Sequence, residues 1–319
     1  MTRFASILAG LSVLLAASTA SAAELDEIRI DWATYNPISI LLKEKGLLEK
    51  EFEADGIAIR WVQSAGSNKA LEFLNAQSID FGSTAGSAAL LARVNGNPVK
   101  SIYVYSKPEW TALVARGDSD IDQVANLKGK TVAVTRGTDP HVFLVRALAD
   151  AGLSERDVNL VLLQHADGKT ALLRGDVDAW AGLDPLMASA EVEDGARLFF
   201  RDPDANTWGV LNTRDDFAAE HPEIVQRVLS IYEEARQAAI ADPAALRALL
   251  IEATGLPEPV IRRQLERTEI THSAIGDAQA DTIEAAGKAL QQAGVIAADV
   301  DVEQTVGALI DKRFGNLGQ

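Results

Sequence analysis

Five short stretches of this chain share one pattern: an apolar run, a few small polar residues, then an apolar run at helical spacing. The clearest is Ile79-Asp80-Phe81-Gly82-Ser83-Thr84-Ala85-Gly86-Ser87, which leads into the apolar stretch 88–92. The others run from 28–32 into Tyr35-Asn36-Pro37 and from 57–62 into Ser64-Ala65-Gly66-Ser67-Asn68. Downstream, 131–134 leads into Arg136-Gly137-Thr138-Asp139-Pro140, and 177–180 into Leu183-Asp184-Pro185. Each reads as a brief buried strand whose turn opens a helix. A helix start carries unpaired N–H groups and the positive end of the helix dipole. Hydroxyls and glycines beside it therefore make a ready anion site. In open α/β sheets such turns gather at the carboxyl ends of the strands, where ligands bind. The pattern restricts the chain to an α/β architecture that holds something small.

The beginning of the chain reads differently. Arg3 precedes an apolar stretch at 4–17, and Ala20-Ser21-Ala22-Ala23 places small residues just before the charged sequence that starts at Glu24. This is the composition of a signal peptide, expected over 1–23 with removal near Ala22-Ala23. The apolar stretch falls short of the roughly 18 residues a membrane-spanning helix needs. The sequence has no cysteine, so a disulfide, a lipid-bearing cysteine, a thiol nucleophile and thiolate metal ligation are all excluded. The expected compartment is the periplasm. The remainder is long enough for two ordinary domains. A formal net charge of −16 disfavours nucleic acid and anionic membrane surfaces. It does not exclude a small anion, because helix starts inside a closed cleft govern binding there.

Residues 24–106 alternate strands near 28–32, 57–62, 79–81 and 101–105 with helices near 37–51, 68–76 and 85–95. A second block has strands at 111–115, 131–134, 158–163, 177–181 and 197–200, with helices near 140–151, 167–174 and 185–193. Such alternation predicts mostly parallel sheets covered by helices. After Asn212 the strands stop. Ile224, Val225, Val228, Leu229, Tyr232 and Ala235 then form one apolar stripe at helical spacing. The last helix is expected near 303–312. The boundaries that follow are 24–107 for the first part of lobe one, 108–209 for lobe two, and 210–319 for a helical return to lobe one.

The stretch from Trp61 through Glu72, with Ile79-Asp80-Phe81-Gly82-Ser83-Thr84, resembles the periplasmic binding proteins of aliphatic-sulfonate ABC importers. Their wider group includes taurine-, nitrate- and thiamine-precursor-type binders. Asn126-Leu127-Lys128-Gly129-Lys130-Thr131-Val132-Ala133-Val134 adds to the resemblance. So do Gly137-Thr138 through His141 and Gly175-Asp176-Val177-Asp178-Ala179-Trp180 leading to Asp184-Pro185. The resemblance implies a type II periplasmic-binding-protein fold. Two α/β lobes are joined by a hinge crossed twice, and the C-terminal helices pack on lobe one. The ligand would lie between the lobes, lined by Tyr35, Asn36, Ser64, Ala65, Gly66, Ser83 and Thr84 from lobe one. Lobe two would add Gly137, Thr138, His141 and Asp184. Where the family often has an aromatic residue before the Asp-Pro pair, this chain has Leu183. Near the first crossing Glu109 is a candidate partner for a ligand amine, and Trp110 a candidate wall.

Each candidate also has an ordinary structural role. Ser83, Thr84, Asp139 and Asp184 serve equally as helix caps, and Tyr35-Asn36-Pro37 as a plain turn. His141 reads either as a ligand-facing imidazole or as a surface histidine. The histidines at 141, 165, 221 and 272 show no metal-ligand spacing, so no metal and no cofactor are expected. The expected function is binding of a small organic anion, most simply an aliphatic sulfonate, by a monomer that presents it to a membrane permease. Taurine, nitrate or a thiamine-precursor pyrimidine is the alternative on the same fold. An enzyme or a ligand-sensing module is the alternative of another class. Relatives that cleave sulfinates use a cysteine nucleophile, which this chain lacks.

Overall fold

The structure is a computed structural model that describes residues 25–314. The predicted signal segment lies outside the described residues. Strand β1 (Glu27–Trp32) leads through α1 (Pro37–Lys45) and α2 (Leu47–Phe52) to β2 (Ala58–Gln63). Helix α3 (Ser67–Asn75), β3 (Phe81–Ala85), α4 (Gly86–Val94) and β4 (Val99–Pro108) follow. The sequence reading has one helix across 37–51. Gly46 divides it, because its left-handed backbone (φ 58°) turns its N–H back onto the carbonyls of Leu42 and Lys43.

The chain then changes sheets. Strand β5 (Thr111–Ala115) precedes β6 (Thr131–Val134), α5 (Asp139–Asp150), β7 (Asn159–Leu162) and α6 (His165–Arg174). Strand β8 (Ala179–Leu183), α7 (Leu186–Val192) and β9 (Arg197–Phe200) complete this block. The return is made by β10 (Gly209–Arg214). After it come α8 (Asp215–Glu220), α9 (Pro222–Ala241), α10 (Pro243–Thr254), α11 (Glu258–Glu266), β11 (Thr268–Glu269), α12 (Asp277–Gln292) and α13 (Val302–Leu309). The last helix thus ends earlier than its expected span.

One sheet has the order β11-β4-β10-β3-β1-β2 and the other β7-β6-β8-β5-β9. The expectation of mostly parallel sheets is corrected. The pairs β1–β2, β1–β3, β6–β7 and β6–β8 are parallel, and five further pairs are antiparallel. The reason is the double crossing: the strands next to it, β4, β5, β9 and β10, run against or beside strands far away in sequence. The same crossing lengthens β3. Thr84 and Ser83 pair with Val210 and Leu211 of β10, so the strand runs to Ala85 and the Gly-Ser-Thr stretch is strand rather than turn.

Each sheet carries its own core. In lobe one Ile28, Ile30, Phe81, Tyr103 and Tyr105 share one core with the apolar face of α9, and in lobe two Leu113, Val132, Phe143, Leu144 and Leu148 pack together. The stripe on α9 read from the sequence is buried at Ile224, Val225, Val228, Leu229, Tyr232 and Ala235. A further cluster joins the lobes at one side: Leu91 of α4, Val142 and Val145 of α5, and Ala286 and Leu290 of α12. Helix α12 therefore rests on both lobes, not on lobe one alone.

Candidate functional site

Between the lobes, three helix starts converge. Gly66 opens α3 on lobe one, Gly137 and Thr138 open α5 on lobe two, and Gln164 and His165 open α6 on lobe two. The approach is close at Gly66. A Cβ there would lie 2.9 Å from His165 Nε2 and 2.8 Å from Asn68 Oδ1. Its φ of 154° is also one that only glycine adopts readily. A Cβ on Gly137 would meet the Asn68 side chain at 4.0 Å. The two lobes touch here.

This contact is incompletely bonded. Ser64 Oγ, Asn68 Oδ1, Gln164 Oε1 and His165 Nε2 are buried without a hydrogen-bond partner. Ser64 and His165 are each 2% exposed. No acceptor among the described residues takes the N–H groups of Gly66, Ser67 and Asn68, nor those of Thr138, Asp139 and His165. Buried polar groups left unpaired are costly, and a native fold rarely keeps several in one place without a partner to supply. Unbonded N–H groups at three helix starts fit an anion. Thr138 Oγ1 donates to Thr135 O at 2.6 Å, which leaves its backbone N–H as the group it presents.

Of the predicted contacts, the structure brings together Ser64, Gly66, Gly137 and Thr138, with Ala65 exposed beside them. The others have protein partners. Asn36 Nδ2 donates to Ser83 Oγ at 2.8 Å and its Oδ1 caps α1 through Ser39 N. Ser83 in turn donates to Asp31 Oδ1 at 2.9 Å, and Tyr35 OH donates to Ser83 O at 2.9 Å. Thr84 Oγ1 accepts from Asn212 Nδ2 at 2.7 Å and donates to Ala85 O. Asn36, Ser83 and Thr84 are fully buried within lobe one. The His141 imidazole is buried too, and its Nε2 lies 3.0 Å from Glu155 Oε1. Asp184 Oδ1 caps α7 through Ala188 N at 2.8 Å, and its carboxylate faces Arg267 at 3.5 Å. Burial outweighs Arg267 and pushes the Asp184 carboxyl up to about 7. The Glu109 carboxylate is closed by a two-pronged pair with Arg201, at 2.7 and 2.8 Å.

Asp139 occupies the hinge. It stands at the first position of α5, with Thr138 as the cap. Its Oδ1 accepts from Ser87 of lobe one at 2.6 Å and from Thr207 Oγ1 at 2.7 Å; its Oδ2 accepts from Trp110 Nε1 at 2.8 Å and Thr207 N at 3.1 Å. It thus ties lobe two to lobe one and to both crossings. Trp110 stacks edge-on against Tyr35 with ring centres 5.9 Å apart, which makes it part of the hinge packing. Burial raises the Asp139 carboxyl, and these four donors oppose the rise.

Asn68, Gln164, His165 and Asp31 are not among the residues the sequence reading assigns to the ligand. His165 and Gln164 fall before the helix expected at 167–174, in a turn without the glycine or hydroxyl that marks the other starts. The structure begins α6 at His165. Asp31, at the end of β1, is fully buried; Ser83 N and Oγ bond its Oδ1, while Oδ2 is unpartnered. Burial pushes its carboxyl up to about 6; the Ser83 hydrogen bonds act against the rise, and the nearby Ser64 hydroxyl, beyond hydrogen-bond distance, acts in the same direction. Among the described residues no group of three or more His, Asp and Glu is placed to hold a metal, and no helix is long and apolar enough to cross a membrane.

Residues 43–246 match the family described as NMT1/THI5 like. A protein of Escherichia coli (strain K12), named for binding aliphatic sulfonates, is 33% identical over 262 residues, 81% of either chain. The solved alkanesulfonate-binding protein SsuA of Xanthomonas axonopodis pv. citri, bound to MOPS, superposes with a TM-score of 0.81. It is 28% identical, with 89% of this chain and 99% of that chain covered. The periplasmic aliphatic sulphonate binding protein SsuA of Escherichia coli superposes at 0.74 and is 30% identical, with 88% and 91% covered. The fold is that of these bilobed binding proteins, and the chain belongs to the NMT1/THI5-like family.

Proposed function

We propose that this protein is the solute-binding component of an ABC importer and closes its two lobes on an aliphatic sulfonate. The observation that carries this reading is the interlobe contact, where unbonded N–H groups of helix starts from both lobes converge. A sulfonate brings three acceptor oxygens and one negative charge, which suits donors arriving from both lobes. Direct contacts are assigned to Ser64, Gly66, Asn68, Gly137, Thr138 and His165. The Asn36–Ser83–Thr84 group, Glu109, His141 and Asp184 act as supports around them. A ligand that touches both lobes stabilises the closed state by its differential affinity for it.

Binding without chemistry is the proposed role, in the periplasm after removal of the signal segment, with a membrane permease as the receiving partner. The relatives named for sulfonate binding support it. The test is small-angle scattering of the ligand-stripped protein with and without butanesulfonate. Compaction on binding is expected; an unchanged radius with a ligand shown to bind by calorimetry would rule out closure.

A further inference from the structure

The orientation of His165 fixes what its free nitrogen can do. Thr135 has one hydroxyl proton, and it is donated to Leu163 O at 2.7 Å. Toward His165 Nδ1, at 3.2 Å, Thr135 Oγ1 can therefore only accept, so the neutral ring carries its proton on Nδ1. Nε2 is left as a bare acceptor, buried, unpartnered and facing Gly66 across the lobe boundary. Its partnerless neighbours Asn68 Oδ1 and Gln164 Oε1 are acceptors as well, and Asp31 Oδ2 is another in lobe one. An anionic head group has nothing to give these atoms. Its oxygens belong with the helix N–H groups, and acceptors left unsatisfied in the closed cleft would weaken binding.

We propose that His165 determines specificity: its Nε2 accepts a hydrogen bond from the ligand's tail, and the cleft selects organosulfonates that carry a hydroxyl or ammonium near the head group over plain alkanesulfonates. This rests on the sulfonate reading above and deepens it. Burial alone lowers the basicity of the ring, to a pKa of about 3, with no charged group contributing. The ring thus stays neutral and accepting at physiological pH.

The experiment is calorimetric titration of the stripped protein with ethanesulfonate, 2-hydroxyethanesulfonate and 2-aminoethanesulfonate, repeated on His165→Leu and His165→Gln. Wild type is expected to prefer one or both donor-bearing ligands by about tenfold or more, the scale of one buried hydrogen bond. His165→Leu should lose the preference, with the donor-bearing ligands falling to the affinity this variant shows for ethanesulfonate. His165→Gln, whose Oε1 reaches the place of Nε2, should keep most of it. Equal affinity for all three ligands, or a preference that survives His165→Leu, overturns the inference and leaves the sulfonate reading standing. Uptake of about one proton on binding ethanesulfonate, read from buffers of different ionisation enthalpy, overturns it too, because the ring would then be donating to the anion. Failure of all three ligands to bind wild type overturns the sulfonate reading itself and this inference with it.

Discussion

Two polar clusters of this molecule look alike in sequence and are opposite in structure. The first is the Asn36–Ser83–Thr84 group at the end of β3, and the second is the Ser64–Asn68 turn facing His165. Both lie at the carboxyl end of a strand, both are rich in hydroxyls and amides, and Ser64 is buried as Asn36, Ser83 and Thr84 are. In the first, the recorded bonds close on themselves: Asn36 with Ser83, Ser83 with Asp31, Thr84 with Asn212, and Asn212 with Ser101. In the second, four side-chain atoms and the helix N–H groups have no partner among the described residues. Polarity and burial alone do not distinguish a scaffold from a site; hydrogen-bond satisfaction does.

The largest effect expected from this contrast is on stability in the first cluster. Asn212→Leu removes the donor to Thr84 Oγ1 and Gly82 O and the acceptor for Ser101 Oγ. It should cost about 3 kcal/mol in urea unfolding, with ligand affinity nearly unchanged once folded. A large affinity loss at unaltered stability would erase the distinction between the clusters.

The second cluster should behave in the reverse manner. Gly66→Val places a branched side chain against His165 and Asn68, on a backbone conformation that disfavours it. Affinity should fall by about a hundredfold, some 2.7 kcal/mol, because the lobes cannot close. The open form relieves the clash with His165 but not the backbone strain or the approach to Asn68, so the melting temperature without ligand should also fall by a few degrees. Unchanged affinity in calorimetry would mean that the Gly66–His165 contact is not the site of closure.

Asp31 stands between the clusters, with one oxygen in each condition. Its folded pKa, about 6, is raised above the ordinary carboxylate value of 3.8. The folded state therefore holds this proton more tightly than the unfolded state. The carboxyl's part in stability is most favourable below about pH 4, declines as pH rises toward 6, and is constant above. Asp31→Asn should remove that decline, gaining about 2 kcal/mol relative to wild type between pH 4 and pH 8. Asp184, raised to about 7, leaves its own larger decline, extending toward pH 7, in both proteins. Parallel stability curves for the two proteins would contradict the buried, half-satisfied state of Asp31.

The smallest effect sharpens the comparison further. Ser64→Ala removes one unpartnered hydroxyl and should weaken sulfonate binding by about tenfold or less while slightly stabilising the protein. A loss of stability with no change in affinity would place Ser64 with the scaffold instead.

The alternation of strands and helices made the α/β class legible, and the stripe on α9 could be read residue by residue. Gly66 and Gly137 were visible because glycine and hydroxyl residues mark a strand-to-helix turn. Asn36, Ser83 and Thr84 carry the same mark, but whether their groups are engaged depends on β10 and Asn212, which arrive more than 120 residues later in the chain. His165 carries no such mark. A histidine between Gln164 and Ala166 signals nothing locally, and only the meeting of the lobes brings its ring to Gly66.

The most direct test of the whole account is calorimetric titration of the stripped wild-type protein with butanesulfonate and with inorganic sulfate. Micromolar or tighter binding of butanesulfonate with sulfate silent is the result the account predicts. Sulfate binding as tightly, or neither binding at all, would contradict a cleft that closes on an organic sulfonate.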